Sequence, residues 1–334
     1  MKSFTNANPR DLAHALTIVR QTRESGRTSA LAGGGSDLLG MMKERLVTPD
    51  VVVNLKAIKG LDQVKPEGAG VTIGGLITLD ALGSHPLIRR QYPVLAEAAA
   101  SVATPQIRNV GTLAGNICQR PWCWYYRNGF QCLKNGGTTC YSISGENAFH
   151  AIFGGGPSYI VHPSDTAPAL VALGATFRIA GPSGERAVPA AEFFVLPKDD
   201  ASRENVLKDG ELLAAIALPA SRSGARSTYH KVLDREAWTH AVVSAAIVLE
   251  MNQDVCRSAR IVLGGVAPIP WRLPEVEKML AGQRITPDLA AKAGDEAVAG
   301  ARPLAKNGYK VPLTRGMVSR TLLTIADRGF RNAD

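Results

Sequence analysis

Apolar residues along the chain fall into two patterns, helical spacing and short unbroken runs, with glycine and proline between them. Leu12, Leu16 and Val19 share one face and predict an opening helix. Asn8 is placed to cap it, Pro9 suits its first position, and Asp11 sits where the helix dipole favours an acid. Ser29–Ala32 reads as a short strand running into Gly33-Gly34-Gly35, and Ser36 and Asp37 can cap a short helix Leu38–Lys43. Residues 51–55 form a continuous apolar run, the pattern of a buried strand. Turn residues at 68–70 divide two strand-like pieces into a hairpin, and helices are expected near 79–82 and, after Pro93, over 94–102. Residues 104–116 read as an irregular, polar, glycine-rich stretch. Further on, 167–173 predicts an apolar helix and 175–179 a strand; 221–227 is polar and reads as a linker. Beyond it, 241–251 and 259–266 predict strands, and 275–280, 289–298 and 314–328 predict helices. Helices and strands are therefore mixed throughout, with no internal repeat.

At 334 residues the chain is long enough for two or three domains with ample core, and 45% hydrophobic against 20% charged residues is ordinary for a folded globular protein. No apolar run approaches the roughly 18 residues of a membrane helix. The longest, 241–249, contains Ser244 and ends at Glu250, and the first residues lack the apolar core of a signal peptide. A membrane role is not expected. Lys and Arg outnumber Asp and Glu by 38 to 29, a net charge of +9, which raises the question of nucleic acid. The basic residues are scattered and aromatics are only 6%, so no nucleic-acid surface is expected. The densest basic run is Arg302, Lys306, Lys310, Arg315, Arg320, Arg328 and Arg331, either a solvated face or a docking surface for an acidic partner or anionic cofactor.

Four segments carry candidate chemistry. In Leu31-Ala32-Gly33-Gly34-Gly35-Ser36-Asp37-Leu38, three glycines after a strand allow backbone N–H groups to converge on an anion such as a pyrophosphate. The pattern is neither a Walker loop nor a Rossmann fingerprint, and read alone it is equally a tight turn. A second loop, running from Thr104 through Arg108, Gly111, Thr112 and Gly115 to Asn116, can wrap a dinucleotide or serve as any ordered loop. Third, Cys118, Cys123, Cys132 and Cys140 fall within 23 residues, spaced x4, x8 and x7. A disulfide framework suits so large a chain poorly. Four thiolates can hold a [4Fe–4S] cluster or zinc, and the wide, unequal gaps favour the cluster over paired zinc knuckles. Trp122, Trp124, Tyr125, Tyr126 and Phe130 interleave the cysteines and can shield such a cluster from solvent. The fifth cysteine, Cys256, reads as a small core residue. Fourth, His162-Pro-Ser-Asp165 opens the apolar helix; Ser164 or Asp165 can cap it, or Asp165 can accept a bond from a cofactor.

Taken in order, Ala-Gly-Gly-Gly-Ser-Asp, then Ile-Arg-Asn-Val-Gly-Thr-Leu-Ala-Gly-Asn, then Pro-Ser-Asp resembles the FAD-binding medium subunit of molybdenum hydroxylases, the relatives of carbon monoxide dehydrogenase, aldehyde oxidase and xanthine dehydrogenase. Residues 229–235, 259–268 and 303–310 resemble the C-terminal flavoprotein domain of that family, so the likeness covers nearly the whole chain. The cysteine segment is similar to the extra [4Fe–4S] loop in the flavin subunits of 4-hydroxybenzoyl-CoA reductase and bacterial molybdenum aldehyde oxidoreductases. One position departs from that subgroup: Ser158 stands where relatives carry a cluster-ligating cysteine.

The resemblance implies an α+β protein. A two-lobed α/β FAD-binding domain of the PCMH type spans 1–222, with lobes 1–58 and 59–222 and an iron–sulfur loop over 117–158. A smaller α+β C-terminal domain spans 223–334. It implies FAD held by Ala32, Gly33, Gly34, Gly35, Ser36, Asp37 and Leu38 on one side and Thr104, Arg108, Gly111, Thr112, Gly115 and Asn116 on the other. Thr112, Gly115 and Asn116 are expected to donate N–H groups, and Asp165 and Lys231 to lie at the flavin. It implies a [4Fe–4S] cluster on Cys123, Cys132 and Cys140, with Cys118 expected as fourth ligand in place of Ser158. The loop reads as an insertion, so losing Cys123 is expected to remove iron and leave FAD binding intact. Partners are a large molybdenum-cofactor subunit and a small subunit with two [2Fe–2S] clusters; the chain itself supplies electron transfer and no substrate acid or base. A cytoplasmic location is expected, with periplasmic export alongside a partner left open. The competing readings are a free-standing FAD-dependent oxidase or reductase and a zinc-containing interaction module.

Overall fold

The computed structural model describes residues 1–222, 224–235 and 239–331. Ser223, where the second domain is expected to begin, lies outside the described residues, and Arg328 and Arg331 of the basic run lie beyond the described side chains.

The valine run Val51–Asn54 is the centre of a three-stranded parallel sheet, with Thr5–Ala7 and Ser29–Ala32 on its two edges. The helix Leu12–Glu24 buries Ala15 and Val19 against it. That helix begins at Asp11 and not at Asn8: the Asp11 carboxylate accepts the His14 N–H at 2.7 Å, so the acid read as a dipole partner is the cap itself. The core here is shared, because Leu76, Ala180, Leu212 and Ala214 belong to the same buried cluster as Val51 and Val53.

The second sheet is antiparallel, in the spatial order Val64–Glu67, Gly70–Gly74, Leu212–Leu218, Thr176–Gly181, Gly184–Pro189. The hairpin expected around 68–70 is its first pair. The stretch 104–116 is not irregular. It contains two short helices, Pro105–Val110 and Leu113–Cys118, each capped by a threonine: Thr104 Oγ1 accepts the Ile107 N–H and Thr112 Oγ1 the Gly115 N–H.

The third sheet is antiparallel too, ordered Trp271–Arg272, Val255–Gly264, Val243–Asn252, Ala225–Val232, with Gln283–Arg284 added to the second of these. The strand Ala225–Val232 takes in three residues of the stretch 221–227 read as linker, with Ala225 already paired to Glu250. Both faces of this sheet are covered. On one, Tyr229, Ala246 and Val262 belong to the same buried cluster as Leu95 and Leu170 from the helices Pro93–Ala100 and Thr166–Leu173. On the other, Ile247 and Ile261 meet the helices Pro274–Leu280, Pro287–Glu296 and Lys310–Arg331, and Cys256 is buried among them. The architecture is the α+β arrangement expected. Among the described residues no helix is long and apolar enough to cross a membrane.

Candidate cofactor site

The two glycine-bearing loops meet. A Cβ built on Gly33 would lie 2.6 Å from Thr112 Oγ1, and one on Gly34 would lie 1.9 Å from the Val110 carbonyl oxygen. Gly35 has φ +76°, in the left-handed region that favours glycine. The turn between Ala32, last residue of its strand, and Leu38, first of its helix, therefore lies flush on residues 110–112. Among the described residues nothing accepts from the N–H groups of Gly34, Gly35 or Ser36. Three open donors in one tight turn form a cradle for an anion. The second loop differs from expectation. Gly115 N–H goes to Thr112 Oγ1 at 3.2 Å and Asn116 N–H to the Thr112 carbonyl at 2.8 Å, so both are engaged inside their own helix. Gly111 is needed for packing, since a Cβ there would meet the Ile107 carbonyl oxygen at 2.9 Å.

Asn116 links this loop to the Pro-Ser-Asp motif. Its Oδ1 accepts from Ser164 Oγ at 2.6 Å and Thr166 Oγ1 at 2.7 Å. Ser164, not Asp165, caps the following helix, accepting the Ala167 N–H at 3.0 Å. Asp165 is thereby free for another task. Its Oδ2 takes the Lys231 ammonium at 2.7 Å and its Oδ1 the Tyr229 hydroxyl at 2.6 Å, all buried. Lys231 also donates to the Ser101 carbonyl at 3.0 Å. A buried ion pair is tolerated only when its remaining hydrogen bonds are met, and here they are. Burial and the adjacent carboxylate together hold the Tyr229 phenol protonated well above its ordinary range. Beside this pair opens a cavity of about 770 Å³, lined by Ser101, Arg108, Tyr229, Lys231, Leu313 and Arg320. Arg108 reaches it after donating to the Val102 carbonyl at 2.8 Å. Ser101, Thr166 and the Tyr229 hydroxyl were not singled out by sequence; a hydroxyl flanking Asp165 was the available signal for Thr166 alone.

The cysteine segment is held to the rest of the chain by charge. Glu204 is buried between Arg120 at 2.7 Å and Lys134 at 2.8 Å, and Asp37 takes Arg127 at 2.8 Å. Cys123, at the start of the short helix Trp124–Arg127, has its thiol raised chiefly by burial, with nearby Cys140 and Cys132 adding to the effect. Its Sγ lies 3.4 Å from His150 Nε2, and Cys140 Sγ lies 3.1 Å from Ser142 Oγ. Burial, with the Lys310 ammonium adding to it, lowers His150 to about 4. Cys118 is set apart: it packs against the main apolar cluster, and burial alone pushes its thiol up to about 12. Cys132 and Cys140 thus lie near enough to Cys123 to raise its thiol further, whereas Cys118 packs against the main apolar cluster. Among the described residues no three His, Cys, Asp or Glu side chains converge to hold a metal ion. The aromatic shield is partial: Tyr126 is buried, whereas Trp122, Trp124 and Phe130 face solvent.

Two family models match the chain. One, described as the FAD binding domain in molybdopterin dehydrogenase, covers residues 2–221; the other, the CO dehydrogenase flavoprotein C-terminal domain, covers 227–325. The aldehyde oxidoreductase FAD-binding subunit PaoB of Escherichia coli K12 is 33% identical over 87% of this chain and 88% of its own. The carbon monoxide dehydrogenase medium chain of Hydrogenophaga pseudoflava is 28% identical over 94% of each. A solved structure of carbon monoxide dehydrogenase from that organism superposes with a TM-score of 0.76 over 98% of both chains, at 27% identity.

Proposed function

Because the chain belongs to the molybdopterin dehydrogenase FAD-binding family, we propose that it carries electrons through an FAD lodged between its two loops. It is an oxidoreductase subunit of the kind that works with a large molybdenum-cofactor subunit and a small [2Fe–2S] subunit. The family favours this reading over a free-standing oxidase or reductase. The observation that carries it is the turn Gly33–Ser36, pressed against residues 110–112 with its N–H groups open. FAD, when bound, supplies the redox chemistry. The chain's own residues bind and orient it. Gly34, Gly35 and Ser36 face the pyrophosphate; Ala32, Gly33, Leu38, Gly111, Thr112, Gly115 and Asn116 shape the two loops; Thr104 holds the helix that carries Arg108. Asp165 and Lys231 present a paired carboxylate and ammonium toward the flavin end, beside the cavity. Asp37 contributes through its partners. The proposed domain division is 1–222, with lobes 1–58 and 59–222, and 223–334. The location proposed is the cytoplasm.

The [4Fe–4S] reading is carried on Cys123, Cys132 and Cys140, supported by the nearness of Cys132 and Cys140 to Cys123, with the packing of Cys118 against the apolar core arguing against it as fourth ligand. Purification of the native complex, with flavin, iron, molybdenum and subunit analysis, tests the whole reading. FAD together with a molybdenum subunit is the expected result; a chain purified without flavin refutes it. Cys118→Ser is expected to retain its iron and Cys123→Ser to lose it. Wild-type protein with zinc and no iron removes the cluster from the reading while leaving FAD in place.

A further inference from the structure

Asp37 poses a charge problem. It follows directly on Gly34–Ser36, whose open N–H groups form the anion cradle, so a carboxylate stands beside the place a pyrophosphate takes. Like charges at that range oppose binding unless a cation intervenes. The cation comes from the cysteine segment. Arg127 Nη2 donates to Asp37 Oδ1 at 2.8 Å, and the Arg120 N–H donates to Asp37 Oδ2 at 3.2 Å. Both carboxylate oxygens are thus turned to the segment, and Asp37 gives no cap bond to the helix Leu38–Lys43 that it precedes.

Arg127 is itself held in place. Its Nε donates to the Pro121 carbonyl at 2.8 Å, its Nη2 to the Arg120 carbonyl at 2.9 Å, and its guanidinium lies 4.4 Å from the centre of the Trp122 ring. The Arg127 side chain is 12% exposed and that of Asp37 19%, so solvent screens the pair weakly. One residue earlier, buried Tyr126 sets its hydroxyl 3.8 Å from Met41 Sδ, within the helix after the turn. The four-residue helix Trp124–Arg127 therefore grips the cradle and the helix behind it, and Cys123 is the residue at which that short helix starts.

We propose that Arg127 is a positioning residue for FAD, neutralising Asp37 and turning its carboxylate away from the phosphates. The cysteine segment and the flavin site are then one coupled unit, not a site with an independent insertion. The proposal rests on the FAD reading, and it reverses the expectation that losing Cys123 leaves flavin binding intact.

The test is equilibrium FAD binding to the full chain after removal of its flavin. Arg127→Met weakens binding by about tenfold or more, the scale of a hydrogen bond to a charged group. Arg127→Lys, which keeps charge without the fork, weakens it less. The double variant Asp37→Asn with Arg127→Met recovers to within about threefold of wild type, because the carboxylate that needed neutralising is gone. A double variant as weak as Arg127→Met overturns the charge argument, and so does an Arg127→Met chain that binds FAD as tightly as wild type. Should Arg127→Met fail to fold, the wild type still answers: reciprocity requires FAD to slow amide exchange across residues 124–127, and unchanged exchange overturns the coupling. A wild-type chain that binds no FAD removes the FAD reading, and this proposal with it; the other adverse outcomes remove the coupling alone.

Discussion

A methyl group on Gly34 would sit 1.9 Å from the Val110 carbonyl oxygen and 2.9 Å from the Gly111 Cα. Both atoms are backbone and neither can swing aside. The glycine is therefore required by the second loop, whatever lies in the cradle. Gly34→Ala is expected to force the two loops apart, to cost about 1–3 kcal/mol of stability as overpacking does, and to lose flavin. The flavin-to-protein ratio and the denaturant midpoint measure both effects; retention of both in Gly34→Ala would show that the loops do not touch. The three glycines were legible in the sequence as a site of close approach. The atom that approaches was not, because Val110 lies 76 residues further on and nothing local announces the contact. The sequence left the cap of the following helix open between Ser164 and Asp165; Ser164 takes that bond and leaves Asp165 to the distant Lys231.

At the scale of elements, the long patterns were legible and the short ones were not. Largely apolar runs located Val51–Asn54 and Val243–Asn252, where burial on both faces leaves little alternation to find. The helices Pro105–Val110 and Leu113–Cys118 have six residues each, too few for an apolar period, and their glycines and polar residues imitate a loop. Their threonine caps and the proline at the first position of one were the available signals. These caps allow a comparison. Thr104 and Thr112 each accept one N–H, so each substitution to Ala costs about 1 kcal/mol of stability. Only Thr112 is also pressed against Gly33, so Thr112→Ala is expected to lower FAD occupancy more than Thr104→Ala. Titration of the two variants with FAD, alongside urea unfolding, separates the cap from the contact. Equal loss of FAD in both would mean that the second loop acts only as a helix pair. The four cysteines were equally legible as a close set in sequence, but spacing alone does not reveal that Cys118 packs against the main apolar cluster.

On the scale of the whole molecule, the segment before the last helix locks the cysteine loop to the third sheet. Asn307 Nδ2 donates to the carbonyls of His150 and Ala151, and Lys306 N–H to Asn147 Oδ1. Lys310, fully buried, donates to the carbonyls of Phe149 at 2.9 Å and Gly265 at 2.7 Å. The basic run of the C-terminal part is thus not uniformly a solvated face, since one of its lysines is an interior tie. Taking an ammonium out of water without a carboxylate is costly, and burial lowers Lys310 to about 7. Between that value and the unfolded value of about 10.4, the unfolded chain binds a proton that the folded chain does not. Stability from this group therefore rises with pH across that interval. As pH falls through 7 the folded chain must carry the buried ammonium, and the full penalty applies. The shift bounds the effect at a few kcal/mol, of which the two carbonyls return a part. Lys310→Met has no such proton. The stability of wild type relative to Lys310→Met is expected to increase steadily from about pH 7 to about pH 10, measured by urea unfolding at fixed ionic strength. A relative stability that stays flat or declines over that interval would mean that Lys310 keeps its charge when folded, with its two carbonyls holding the ammonium against the desolvation.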